Sequence, residues 1–115
     1  MVPVPYTEVK IDLREIVDWE SFHAVFKRAM GFPGFYGRTL DGWIDCMSSV
    51  DNPEDLLSSI HAPPGGVLVL ALRASRDFKT RCPEIFSALL DAVAFVNFRC
   101  MEVGGAPLLC LSYFD

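Results

Sequence analysis

The chain contains few of the residues on which covalent and metal-dependent catalysis usually depend. Its 115 residues include two histidines, His23 and His61, and no Cys-x-x-Cys pair occurs among its four cysteines. A nucleophile elbow, a phosphate-binding loop and a dinucleotide fingerprint are also absent from the sequence. Each histidine is therefore interpreted as structural or solvated, and the sequence predicts no catalytic residue, no cofactor and no metal site.

Long apolar runs and a basic leader are lacking as well. No run approaches the roughly 20 apolar residues that are needed to cross a bilayer, and residues 1–6 carry no cationic segment followed by an apolar one. We therefore expect no membrane partner and a cytoplasmic location, where cysteines are usually small core residues. Four cysteines are predicted to be reduced and mostly inaccessible: Cys46, Cys82, Cys100 and Cys110.

Basic residues are outnumbered by acidic ones. Ten Lys and Arg residues against fifteen Asp and Glu residues give a formal net charge of −5. Because cations drive the binding of phosphates, this balance disfavours DNA or RNA as a direct ligand and favours a basic partner. One cationic cluster lacks the series of stacking aromatic residues that single-stranded nucleic acids require and is interpreted as a solvated loop. It consists of Arg73, Arg76, Lys79 and Arg81.

The residues that are present indicate a globular protein with an α/β fold. Hydrophobic residues make up 51% and charged residues 22% of the chain, and this length fits a single domain spanning residues 1–115. Residues 8–13 alternate with a period of two, which predicts an edge strand. Residues 67–72 have no polar face and predict a central strand that is covered on both sides. Residues 108–114 predict a third strand, and the helical stretches between strands favour parallel pairing.

Helices are predicted from capping residues and from apolar residues at helical spacing. Four starts are indicated, at Asp18, Thr39, Asn52 and Pro83, and Gly31 is predicted to end the first helix. The last helix is predicted to end before residues 104–105. Apolar residues three or four positions apart form the expected buried stripes: Trp19, Phe22, Val25, Phe26 and Ala29 in the first helix, and Leu40, Trp43, Ile44 and Met47 in the second.

Residues 31–46 form the most informative segment of the sequence. Phe35 and Tyr36 lie on a Gly/Pro loop directly before the second helix, and Asp41 and Asp45 fall on the outer face of that helix. The two carboxylates are four residues apart, so they are neighbours that repel by roughly 0.2–0.5 kcal/mol. Binding of a partner molecule would explain why two like charges lie so close together. The alternatives are an ordinary solvated face, in which Asp41 complements the helix dipole, and an Mg²⁺ site of a phosphoester enzyme.

The order of residues in this segment resembles the barstar family of intracellular ribonuclease inhibitors. The shared pattern is an aromatic residue followed by Tyr-Gly, then Leu-Asp, a short apolar stretch and a second Asp, here Asp45. The family often has tyrosine where this chain has Phe35. It usually has tryptophan directly before the second Asp, where this chain has Ile44 and places Trp43 one residue earlier. Because one residue turns a side chain by about 100° around a helix, Trp43 is expected in the core.

The resemblance implies a fold and a function. The fold is a barstar-like, small three-stranded parallel β-sheet packed with about four α-helices. The function is that of a bacterial immunity protein or antitoxin, not an enzyme, which blocks the active site of a basic ribonuclease or ribonuclease toxin. A protein-interaction module whose partner is not a nuclease is the alternative. Carried over position by position, the partner-binding residues are Phe35, Tyr36, Gly37, Thr39, Asp41, Ile44 and Asp45.

Overall fold

A computed structural model describes residues 3–115, and within that range the chain forms three strands and four α-helices. Short 3-10 turns lie at Leu13–Glu15 and Pro53–Asp55. In chain order the strands and helices are β1 (Tyr6–Asp12), α1 (Trp19–Met30), α2 (Leu40–Met47), β2 (Val67–Arg73), α3 (Ser75–Arg81), α4 (Pro83–Glu102) and β3 (Leu109–Tyr113).

The strands form a parallel sheet in the order β1-β2-β3, so the prediction of an edge strand, a central strand and parallel pairing is confirmed. The register pairs Val9 with Leu70 and Leu70 with Leu111. These paired residues share one face of the sheet, because side chains alternate along a strand. That face packs against the hydrophobic core together with α1, α2 and α4.

The opposite face of the sheet is partly open to solvent, although Ala71 on that face is buried, which corrects the expectation that β2 is covered on both sides. Glu8 on β1 and Cys110 on β3 are exposed, and Val69, which pairs with both, is only half-buried. An apolar run indicates a central strand, but the number of covered faces depends on where the helices pack. The local sequence of β2 carries no information on that packing.

Helix α1 begins and ends where its capping residues predict. The carboxylate of Asp18 accepts a hydrogen bond of 2.8 Å from the backbone N–H of Ser21. Gly31 ends the helix in the left-handed conformation, with φ of 67°, and a Cβ at this position would lie 2.4 Å from Oγ of Ser59. Glycine is therefore required there by conformation and by space. Trp19, predicted to be buried, is exposed because it lies in the first turn at the rim of the core.

The third predicted helix is reduced to a single 3-10 turn. The turn begins after Asn52 with Pro53 in its first position, as predicted, but it ends at Asp55. Leu56 has a φ of 57°, in the left-handed region, and its side chain is exposed. This conformation stops the helix.

Residues 75–81 form helix α3, which corrects the interpretation of this cationic cluster as a solvated loop. Arg81 stabilises this helix and attaches it to the rest of the fold. Its guanidinium lies 2.7 Å from the carboxylate of Asp77 one turn earlier, and it donates hydrogen bonds to the backbone carbonyls of Leu13 and Ile16, at 3.2 and 3.1 Å. One cation thus joins α3 to the turn that follows β1.

Helix α4 begins at Pro83 and ends at Glu102, as predicted, and a polar side chain attaches it to β3. Oδ1 of Asn97 accepts hydrogen bonds from the backbone N–H groups of Leu108 and Leu109, at 2.9 and 2.8 Å. Nδ2 of the same side chain donates to the carbonyl of Leu109 at 3.0 Å. Helix α4 also packs against α2. Its position relative to α2 is therefore fixed both by that contact and by the hydrogen bonds to β3.

The four cysteines are free, as predicted, but their accessibility differs from the prediction. Cys46 is buried, Cys82 and Cys100 are half-buried, and Cys110 is exposed. Cys110 was expected in the core because it lies in an apolar strand. It occupies the open face of the sheet instead, so its thiol is accessible.

Candidate functional site

Helix α2 places its apolar and acidic residues on opposite sides, as its sequence predicts. Oγ1 of Thr39 accepts a hydrogen bond of 3.0 Å from the backbone N–H of Gly42 and so caps the helix. Trp43 is fully buried, whereas Asp41 and Asp45 are exposed. The hydrophobic side of α2 therefore fixes the helix on the core, and the carboxylates are left facing outward.

Trp43 is a core residue, as the one-residue shift predicts. Its indole ring packs against Phe22 and Phe26 of α1, with ring centroids 6.4 and 5.5 Å away. Within residues 3–115, its Nε1–H group has no hydrogen-bond partner. Ile44, directly before Asp45, is half-buried and packs against the same core.

Tyr36, which the sequence predicts as a partner-binding residue, is buried beside the groove-forming loop. Only 6% of its surface is accessible to solvent, and its ring packs against Phe32 with ring centroids 4.8 Å apart. The hydroxyl group is hydrogen-bonded to Nδ1 of His23, which is itself buried on α1. Burial raises the pKa of Tyr36 well above its ordinary value, so the phenol stays neutral. Tyr36 is therefore an anchor of the loop.

Phe35 is the exposed member of the aromatic pair. Its side chain is 78% exposed, although large aromatic side chains usually bury most of their surface. Gly37 and Arg38, which follow Tyr36, are also exposed, and Arg38 has a left-handed φ of 52°. The inward anchor at Tyr36 thus holds its neighbours at the surface next to α2.

The loop and α2 border a common groove of about 270 Å³. It brings together four of the residues that the sequence predicts as partner-binding: Phe35, Tyr36, Gly37 and Asp45. Leu57, from the segment after α2, was not predicted and has no local signal for such a role. Seven residues line the groove: Phe35, Tyr36, Gly37, Gly42, Asp45, Cys46 and Leu57.

Asp45 is also paired with a cation that the sequence does not predict. Nη1 of Arg99, near the end of α4, lies 3.2 Å from Oδ1 of Asp45. The two residues are 54 positions apart, so no local pattern connects them. Among residues 3–115, Asp41 forms no such ion pair. The two carboxylates of α2 are therefore electrostatically different.

Within residues 3–115, no group of three His, Cys, Asp or Glu side chains is arranged to hold a metal ion. None of the helices in the same range combines the length and the apolar character required to traverse a bilayer.

Comparison with known proteins agrees with the residue pattern at α2. A search of curated protein sequences finds no significant match. A sequence model of one family, described as barstar (barnase inhibitor), matches residues 6–107. This range runs from β1 to beyond α4 and includes the loop and helix at residues 31–46. The chain therefore belongs to the barstar family.

Proposed function

We propose that this protein inhibits a basic ribonuclease by blocking its active site with α2 and the preceding loop. The observation that carries the proposal is the exposed pair Asp41 and Asp45 on a helix that is fixed to the core, next to the exposed ring of Phe35. Membership of the barstar family supports the same function. In a bacterial cytoplasm such an inhibitor would act as an immunity protein or antitoxin.

The chemistry of inhibition follows from what a ribonuclease active site must bind. A site that holds RNA phosphates presents Arg, Lys or His side chains to anionic oxygens. A carboxylate offers two such oxygens, so Asp45 would occupy the position of a substrate phosphate, and Asp41 would meet cations beside it. The net charge of −5 favours approach to a basic cleft and disfavours direct binding of nucleic acid.

The aromatic loop would add apolar contact at the edge of the acidic surface. Phe35 is exposed and would stack on the target, as aromatic residues do at the centres of interfaces. Tyr36 supports it from below through the hydrogen bond to His23. Because the loop is held in place before binding, less conformational freedom would be lost on association. Gly37 and Thr39 would allow close approach of the two backbones.

The test compares Asp45→Ala with a matched acidic control. The partner is first captured from the native host with the parent protein, and its ribonuclease activity is measured with and without inhibitor. We expect Asp45→Ala to weaken inhibition by several kcal/mol, because cations of the target lose their partner. Glu54→Ala removes an exposed acid from the 3-10 turn at Pro53–Asp55 and should leave inhibition close to that of the parent.

Thermal unfolding of both variants completes the test. Both should unfold close to the temperature of the parent, because exposed charges contribute about 0–1 kcal/mol to stability. If folded Asp45→Ala inhibits as well as the parent, α2 is not the inhibitory surface. If the captured partner has no ribonuclease activity, the alternative of a general interaction module replaces the proposal.

A further inference from the structure

Arg99 places a positive charge on the otherwise acidic surface of α2. It lies in the last turn of α4, where a cation also complements the negative end of the helix dipole. Its Nη1 atom is 3.2 Å from Oδ1 of Asp45, and α2 and α4 pack against each other. The charge of Arg99 is thus held next to the carboxylate that is proposed to enter the target.

The ion pair is exposed in the free protein. The side chains of Asp45 and Arg99 keep 67% and 45% of their exposure. Water screens such a pair, which typically contributes about 0–1 kcal/mol to stability. The ion pair therefore adds little to the stability of the fold. This end of α4 is already fixed by the three hydrogen bonds of Asn97.

Binding would change the electrostatic environment of this pair. When α2 closes on a target, water is excluded, and a buried charge without a partner is strongly unfavourable. Arg99 has five N–H donors in a fixed fork and cannot lose its charge. The bond to Asp45 uses one donor, so the remaining donors need acceptors. A target with only cations around its phosphate pocket would leave them unsatisfied and would repel the guanidinium.

We propose that Arg99 is a specificity-determining residue, which selects ribonucleases that carry an acidic side chain beside the cationic phosphate pocket. The inference rests on the proposed function. Asp45 offers one oxygen to the target's cations and keeps the other on Arg99, and Arg99 in turn binds the target's carboxylate. The inhibitor would thus recognise a cationic group next to an acidic group on the target. An acidic residue without a neighbouring cation, such as Asp41, would fit any basic cleft.

The test is the sign of the effect of Arg99→Ala on inhibition of the captured ribonuclease. If Arg99 binds an acid of the target, its removal weakens inhibition by about tenfold or more. Arg99→Glu should weaken it further because like charges then face each other. If Arg99 only masks Asp45, the alanine variant inhibits as well as the parent or better, and the inference is overturned.

A matched control separates recognition from loss of an exposed ion pair. Arg28 on α1 pairs with Glu15 at 2.5 Å, with both side chains exposed. Arg28→Ala therefore also removes a surface ion pair between residues that are not neighbours in the sequence. It should leave inhibition unchanged. Both alanine variants should unfold at the temperature of the parent. Equal losses of inhibition in the two variants would contradict a specific role for Arg99.

A double-mutant cycle identifies the acidic partner residue. Each Asp or Glu near the active site of the captured ribonuclease is neutralised and measured with the parent inhibitor and with Arg99→Ala. One of these residues should show coupling to Arg99, so that the second substitution has little further effect. If every effect is additive, the inference fails while Asp45→Ala still tests the proposed function. If the parent inhibits no ribonuclease, both proposals fail together.

Discussion

Nδ1 of His23 on α1 is hydrogen-bonded to the hydroxyl group of Tyr36 on the loop before α2. Both side chains are buried, and Trp19 stacks on the imidazole with ring centroids 6.1 Å apart. This contact joins the first helix to the loop that carries Phe35. The conformation of the candidate binding surface therefore depends on a titratable side chain in the core.

Stability should fall in mild acid because of His23. Burial, together with the positive charge of Arg38, lowers the pKa of His23 below its ordinary value. The unfolded chain then binds a proton more readily than the folded one, so the stabilisation is complete above about pH 6.5 and is lost as the pH falls toward the folded pKa. Urea unfolding at about pH 7.5 and about pH 5 measures the difference.

The control for this prediction is a pair of glutamine variants. His23→Gln retains a hydrogen-bonding side chain but cannot titrate, so it should reduce the loss of stability between the two pH values. His61→Gln should behave like the parent. An equal pH dependence in the parent and in His23→Gln would show that carboxylates, and not His23, cause the loss.

Phe35 and Tyr36 should respond in opposite ways to truncation. Phe35→Ala removes an exposed ring, so we expect a change in unfolding free energy within about 0.5 kcal/mol and a loss of inhibition of about tenfold or more. Tyr36→Ala should cost about 3–5 kcal/mol of stability because it empties a buried site. Chemical unfolding and ribonuclease inhibition measure the two effects. A Phe35→Ala variant that unfolds readily would contradict the exposed position of the ring.

The reactivity of the thiols should follow their burial in the folded protein. Cys110 is exposed and should react with a thiol reagent under native conditions. Cys46 should react only after denaturation, because it is buried and because burial raises the pKa of its thiol. Mass spectrometry of the labelled protein identifies the modified residues. Rapid native labelling of Cys46, or a disulfide involving it, would contradict the structure.

The polar attachment of α4 to β3 should be essential for the third strand. Asn97→Ala leaves the backbone groups of Leu108 and Leu109 without their partner, at a cost of about 1–3 kcal/mol. Asn52→Ala is the control, since Asn52 donates one exposed hydrogen bond of 3.2 Å to Asp55. Urea unfolding gives the difference in stability. Hydrogen exchange at Leu108 and Leu109 should accelerate in Asn97→Ala alone.

Association with the ribonuclease should slow as the salt concentration rises. A protein of net charge −5 with exposed acids on α2 is attracted to a basic cleft, and dissolved ions screen that attraction. Stopped-flow measurement of the association rate constant at several ionic strengths tests this. A rate constant that is independent of salt would argue against the proposed polarity of the interface.

Sequence reasoning predicted the parts of the fold that local chemistry determines. Asp18 and Thr39 cap helices by accepting hydrogen bonds from backbone N–H groups three residues later. The sequence pattern that predicts each helix start therefore lies within one helical turn. Helix α3 has one local support, the ion pair of Asp77 and Arg81 one turn apart, but its attachment to the rest of the fold is distant in sequence. Arg81 binds the carbonyls of Ile16 and Leu13, which are 65 and 68 positions earlier. No window of neighbouring residues contains that information.

The candidate site was predicted in part for the same reason. The spacing of Asp41 and Asp45 placed both on the outer face of α2, and both are exposed. Which ring of the aromatic pair is buried depends on the contact of Tyr36 with His23 across 13 positions, and no local pattern shows that contact. Arg99 was not predicted at all, since its link to Asp45 exists only in the folded chain.

The inward position of Tyr36 beside the outward position of Phe35 has an evolutionary consequence. A substitution at Tyr36 should destabilise the fold, so we expect selection for stability to act on this residue. A substitution at Phe35 alters only the surface, and the same holds for Arg99. An inhibitor of the proposed kind could follow a changing target by substitutions at exposed positions while its scaffold stays the same. Divergence among homologues should therefore concentrate at Phe35 and Arg99 and spare Tyr36, which anchors the loop.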